Sequence, residues 1–91
     1  MDWECDPGKD AANLAKHGVS LGFGVRLFDA ADMLIASTIR EGDEEERYKV
    51  IGIDDGRLWT AVHVYRVARV RFISVRRSNS IEQSAYDSSS S

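Results

Sequence analysis

Between Arg57 and Arg77 the chain reads RLWTAVHVYRVARVRFISVRR, a stretch with six arginines and no Asp or Glu. Outside it, six basic residues face 15 acidic ones, so a basic ribbon lies in an otherwise acidic chain. The same stretch is dense in strand formers: Trp59, Thr60, Val62, Val64, Tyr65, Val70, Phe72, Ile73 and Val75. It predicts two strands joined near Arg66-Val67-Ala68. Alternation puts Leu58, Thr60, Val62 and Val64 on one face of the first strand, and Trp59, Ala61, His63 and Tyr65 on the other. In the second strand, Arg69 and Arg71 share one face, with Phe72, Ser74 and Arg76 opposite. Only a bulge would bring Arg71 and Arg76 to the same side.

Ninety-one residues suffice for one domain with one modest core. We expect that domain to span 1–87, with residues 88–91 as a frayed serine tail. Charged residues make up 30% of the chain, and no apolar run approaches the ~20 residues of a membrane span. The acidic start, MDWECDPGKD, does not read as a secretory signal, and the single Cys5 has no disulfide partner. Together these predict a cytoplasmic protein. No Cys/His cluster has zinc-ligand spacing, so no metal or cofactor is expected.

Asp6-Pro7 reads as a helix start and Lys16-His17-Gly18 as its end, with Ala11, Ala12, Leu14 and Ala15 as its apolar side. Ser20 begins a second helix, with Leu21, Val25 and Phe28 on one face; Gly22 and Gly24 weaken it. Met33 to Thr38 and Arg47 to Ile53 read as strands, Glu41 to Glu46 as an acidic loop, and Asp55-Gly56 as a two-residue hairpin turn. Asn79 and Glu82 have capping-box spacing ahead of a short helix over Ile81 to Tyr86. The expected class is α+β: two N-terminal helices, an antiparallel sheet of about four strands, and a C-terminal helix.

Several fragments, taken in order, resemble one family. They are Trp3 to Gly18, with Lys9, Asn13, Lys16, His17 and Gly18 at matching spacing; Phe28-Asp29; and Glu46-Arg47-Tyr48 followed by Ile51-Gly52 and Gly56-Arg57-Leu58. The last are Val70 to Arg77, VRFISVRR, and Tyr86. The chain is similar to the BrnT toxins of type II toxin–antitoxin modules. That resemblance implies a RelE-like fold and a ribonuclease that arrests translation. It also implies a BrnA-like ribbon-helix-helix antitoxin as partner in a hetero-oligomer, with operator DNA contacted through the antitoxin. The chain departs from the family pattern at Leu21-Gly22-Phe23-Gly24, at Ala30-Ala31, and at Gln83, where an arginine is usual.

Metal-independent RNA cleavage needs a base for the 2′-hydroxyl, cations for the phosphorane and an acid for the leaving 5′-oxygen. Arg71 and Arg76, with Arg47 behind them, are the first candidates for phosphate contact, because the guanidinium fork matches phosphate oxygens. Ordinary salt bridging is their alternative use. Lys9 is carried over from the family pattern as a site cation. His63 has either a proton-transfer or a structural role. His17 is an RNA donor or a helix-end cap, and Glu46 is a base only if it lies near Arg47. Arg69, Arg77 and Tyr65 complete the RNA-binding set, with Tyr48 and Tyr65 able to stack on bases or pack in the sheet. Three functions compete: a ribonuclease toxin, a binding module acting in antitoxin complexes and operon control, and a nucleic-acid binder without cleavage.

Overall fold

The computed structural model describes residues 1–38 and 45–90. The order is β1 (Trp3–Glu4), α1 (Pro7–His17), a 3₁₀ turn (Leu21–Phe23), α2 (Gly24–Phe28), β2 (Leu34–Ser37), β3 (Tyr48–Asp54), β4 (Arg57–Arg66), β5 (Arg69–Arg77) and α3 (Ser80–Ser90). The class is α+β as expected, with two corrections. The sheet has five strands in the order β1-β5-β4-β3-β2, not four. It is also mixed, because β1 joins β5 in parallel, pairing Trp3 with Val70 and Glu4 with Arg71. The second helix is a 3₁₀ turn followed by a five-residue helix, and Ser20 makes no capping bond.

Gly22 and Gly24 explain that short, tight segment. A Cβ on Gly22 would lie 2.8 Å from the Trp3 ring, and one on Gly24 only 2.5 Å from Phe72 by strict construction. The backbone is pressed onto aromatic rings where no side chain fits. The acidic loop expected at Glu41 to Glu46 falls largely on residues 39–44, outside the described residues. Glu45 and Glu46 are described.

α1 is terminated as the sequence predicts. Asp6 accepts from the amides of Gly8 and Lys9, Pro7 occupies the first turn, and Gly18 adopts the left-handed conformation (φ 78°), its amide bonding Leu14 O. Its expected apolar side is not buried: Ala11, Ala12 and Ala15 are exposed, and Leu14 is 55% exposed. The helix docks through Asn13 instead. The Asn13 amide donates to Val19 O and Val75 O, both at 2.8 Å, and its Oδ1 accepts from Val75 N at 3.0 Å. A side-chain amide thus stands in for a neighbouring strand at the outer edge of β5, beyond the reach of two-residue β1. A buried backbone pair left open there would cost about 1–3 kcal/mol per group.

β3, β4 and β5 form two hairpins. Asp55 and Gly56 both have positive φ, as a tight hairpin turn requires. Val67 and Ala68 do the same at the second turn, an unusual backbone region for a β-branched residue. The β4–β5 register slips between Val62 and His63: Val62 pairs with Ser74, but His63 pairs with Phe72, leaving Ile73 as the extra residue. That bulge moves Ser74 and Arg76 onto the side of Arg71.

The sheet consequently has two distinct faces. The one under α1, the 3₁₀ turn and α2 carries the main core: Leu21, Leu27, Val50, Trp59, Ala61, Val70, Phe72 and Val75. Each large side chain buried there is worth roughly 1.5–3 kcal/mol. The other face carries Lys49, Ile51, Leu58, Thr60, Val62, Val64, Arg71, Ser74 and Arg76, placed by the strand register. α3 covers one end of it, where Tyr86 packs with Ile51, Leu58 and Leu34. This helix runs on through Ser88 to Ser90.

Candidate nucleic-acid interface

Helical spacing builds the first element of the site. On α1, Lys9, Asn13, Lys16 and His17 fall at i, i+4, i+7 and i+8, hence on one face. Since Asn13 is fixed to Val75, the cations before and after it are held against β5. Lys9, Ala12, Asn13, Lys16, His17, Ile73 and Ser74 line a pocket of about 290 Å³. Among the described residues no carboxylate lines it. Lys9 lies in the field of Asp6 and helps hold that carboxyl below its usual range, after the backbone amides of Lys9 and Gly8. Lys9 and Lys16 have no ion pair among the described residues. Ser74, placed by the bulge, belongs both to this pocket and to the face carrying Arg71 and Arg76.

The arginines of that face are already engaged. Arg76 donates both terminal nitrogens to Glu82, at 2.7 and 2.8 Å. Glu82 is 2% exposed and also pairs with Lys49 at 2.8 Å. It further accepts from Thr60 Oγ1 and from Asn79 N, while Asn79 Oδ1 accepts from Glu82 N. This reciprocal pair is the capping box that the Asn79/Glu82 spacing predicts. Burial alone would raise the Glu82 carboxyl. The Arg76 guanidinium, Lys49 and the Asn79 amide outweigh it and bring it down to about 2.

At the far end of the same face, Arg71 donates one nitrogen to Glu4 at 2.8 Å, and Arg66 binds Glu45 through two. Arg66 holds the Glu45 carboxyl below its ordinary value, helped by the fields of Arg71 and Arg47. Arg47, Arg66 and Arg71 therefore gather at this end. Arg69, at the tip of the second hairpin, is exposed.

His63 lies on the opposite, helix-covered face and is 0% exposed. Its ring packs against Phe28, Tyr48, Tyr65 and Phe72. Nδ1 lies 3.3 Å from Ala61 O, and Nε2 lies 3.4 Å from the Tyr65 hydroxyl. Burial pushes its pKa down, which favours the neutral ring. Tyr65 is half exposed on that face, edge-on to Tyr48. Glu46 accepts from Ser37 at 2.8 Å and is held below its usual range by bonds from Tyr48 and Ser37. Arg77 rests over Trp59, its Cζ 5.5 Å from the ring centroid.

The structure thus brings Lys9 and His17 into one pocket with Ser74, puts Arg71 and Arg76 on the same sheet face as Ser74, and leaves His63, Tyr65 and Arg77 on the opposite face. Sequence reasoning passed over Lys16, Lys49, Asn13 and the ionic role of Glu82. The spacing of Lys9 and Lys16 was the legible signal for the first. Among the described residues no three His, Cys, Asp or Glu side chains come together as a metal-ligand set, and no helix is long and apolar enough to cross a membrane.

Comparison with curated proteins finds no match. A family model described as "Ribonuclease toxin, BrnT, of type II toxin-antitoxin system" matches residues 5–82, from Cys5 before α1 to Glu82 in α3. The chain belongs to the BrnT family of ribonuclease toxins from type II toxin–antitoxin systems.

Proposed function

We propose that this toxin cleaves RNA in the cytoplasm without a metal ion, gripping the substrate backbone along the seam between α1 and β5. The observation that carries this is the pocket of Lys9, Lys16 and His17, two ammonium groups and an imidazole with no carboxylate at its wall among the described residues. Phosphate oxygens entering it would meet two ammonium groups and an imidazole. Lys9 and Lys16 would neutralise the charge that grows on the phosphorane as the 2′-hydroxyl attacks. His17, half-buried on the same wall, is placed to carry the proton toward the leaving 5′-oxygen.

Arg71 commits one terminal nitrogen to Glu4 and keeps donors for a phosphate at the neighbouring position. Arg76 has both terminal nitrogens on Glu82, so we assign it to holding α3 and the sheet in place. Arg69 and Arg77 extend the grip at either end of β5. The buried neutral ring of His63 is assigned to packing. A BrnA-like ribbon-helix-helix antitoxin would neutralise the toxin and carry the complex to operator DNA.

Induced expression of the chain should arrest growth and fragment total RNA, in extracts with or without a chelator. The Lys9→Ala/Lys16→Ala double variant should remain folded and lose at least tenfold in cleavage rate, the size expected when fixed cations are removed from a phosphoryl site. Full cleavage by that variant would place the chemistry elsewhere.

A second reading has its own support. The ion pairs on Arg66, Arg71 and Arg76 leave the arginine-rich face largely neutralised, as suits a binding module working through antitoxin complexes. Intact RNA and unimpeded growth with the wild-type chain would select that reading.

A further inference from the structure

At the other end of β5 lies a pocket of different character. Phe23, Arg26, Asp54, Asp55, Arg57 and Trp59 line a space of about 280 Å³ beside the first hairpin turn. Two tilted rings form part of its wall: the Phe23 and Trp59 centroids are 4.9 Å apart at 55°, with Phe23 half-buried and Trp59 9% exposed. A guanidinium flanks each ring, Arg26 at 5.1 Å from Phe23 and Arg77 at 5.5 Å from Trp59. Its charges balance, two arginines against two aspartates. Arg26 is bound to Asp54, which cancels that pair. Asp55 and Arg57, both exposed and on either side of Gly56, have no ion pair among the described residues.

An anionic peptide or a bare phosphate would meet the two carboxylates, so charge does not select it. A flat, uncharged ring with both donors and acceptors on its edge fits better. Nucleobases exposed in single strands are held by stacking on aromatic or guanidinium planes and by hydrogen bonds to their edges. The volume is just below the ~300–1,000 Å³ of sites for drug-sized ligands, which suits one base. The uncommitted pair also discriminates among bases. A carboxylate accepts two parallel bonds only from adjacent donors, which guanine alone offers at N1–H and N2–H₂. A guanidinium fork matches guanine O6 and N7.

We propose that this pocket is a guanine-binding subsite, with Asp55 on the N1/N2 edge, Arg57 on O6/N7, and the open edge of the Phe23–Trp59 wall against the ring. The inference rests on the ribonuclease reading for its purpose and adds a base preference to it. Arg77 lies three residues beyond Ser74 on β5, a run of about 10 Å. Arg77 rests over Trp59, so β5 borders both pockets, through residues on opposite faces of the sheet.

Two measurements test it on the full chain. In the first, GMP, AMP, CMP and UMP are titrated separately against the ¹⁵N-labelled protein while the Trp59 indole N–H signal is followed. GMP should shift that signal at concentrations at least about tenfold below the other three. Arg57→Ala and Asp55→Asn should each erase the difference, while the signals of Trp3 and the core stay in place. Asn tolerates the positive φ at position 55, so that variant keeps the turn. No shift with GMP, or equal shifts with all four nucleotides, overturns the proposal whether or not the protein cuts RNA. In the second, the 5′ ends of cleaved RNA are mapped for the wild type and both variants. Cuts should cluster beside guanine in the wild type, and the preference should fall roughly tenfold in each variant, the discrimination of one bidentate base contact. Cleavage with unaltered guanine preference in both variants overturns the subsite and leaves the ribonuclease intact. Intact RNA with a selective GMP shift overturns the ribonuclease reading and keeps the site.

Discussion

The open face of the sheet and its α1 edge both carry positive charge, but the face has most of its arginines paired and the edge does not. On the face, Arg66, Arg71 and Arg76 are met by Glu45, Glu4 and Glu82. On the edge, Lys9, Lys16 and His17 surround a pocket that no carboxylate enters. A count of arginines along the sequence would rank the face first. What decides is the partner that the fold delivers. Arg71 and Glu4 are 67 residues apart and meet only because β1 lies parallel to β5. Lys9 and Lys16, on a helix face beside a strand edge, have no ion pair among the described residues, although Lys9 lies in the field of Asp6.

The strongest way to break this comparison is to remove the carboxylate that neutralises the face most completely. Glu82 is buried and holds Arg76, Lys49, Thr60 and the Asn79 amide together. Glu82→Ala should destabilise the domain by about 3–5 kcal/mol, the usual loss when one member of a buried ion pair is deleted. Urea unfolding would measure it. A loss under 1 kcal/mol would mean that the face is a loose surface array rather than a structural one.

Acid titration of the same group is gentler and tests its sign. The folded Glu82 pKa, about 2, lies below the ordinary carboxylate value of 4.5. Its contribution is therefore complete above about pH 5 and declines as the pH falls through 4.5 toward 2. The difference corresponds to on the order of 3 kcal/mol. Glu82→Gln should flatten that decline in the thermal midpoint. An unchanged acid limb in the variant would show that Glu82 is not the group responsible.

The two regions were unequally legible in the sequence. Alternation in β4, the Asp55-Gly56 turn, the Asp6 and Gly18 caps and the Asn79/Glu82 box are local rules with short-range chemistry, and each is present in the fold; in β5 the bulge overturns alternation and puts Ser74 and Arg76 on the side of Arg71. α1 went wrong at the next level. Ala11, Ala12, Leu14 and Ala15 look like a buried stripe, yet the edge of β5 needed hydrogen bonds rather than apolar cover, and Asn13 supplied them. Trp3-Glu4-Cys5 reads as a short extended piece, but its parallel place beside β5, which sets Glu4 against Arg71, is a tertiary pairing. The segment at Gly22 and Gly24 reads as a weak helix, because close approach to Trp3 and Phe72 is a tertiary demand that no local window contains. The same limit applied to His63. Its place on a strand leaves a proton-transfer and a structural role open, and Phe28 and Phe72, brought in from two other elements, bury it.

The smallest effect should come from the most conspicuous pair. Arg66 meets Glu45 with two short contacts, yet both side chains are close to half exposed, and the backbone around them ends in the strained Val67-Ala68 turn. Water and salt screen such a pair, and holding two long side chains in one geometry offsets most of the Coulomb gain. Arg66→Ala should leave the melting midpoint within the scatter of replicate curves, in low salt and in 0.5 M NaCl alike. A clear drop that vanished at high salt would show that this end of the face works as a network through Arg47 and Arg71. The contrast between a neutralised face and an available edge would then need to be drawn by shielding from solvent, with carboxylate partners secondary.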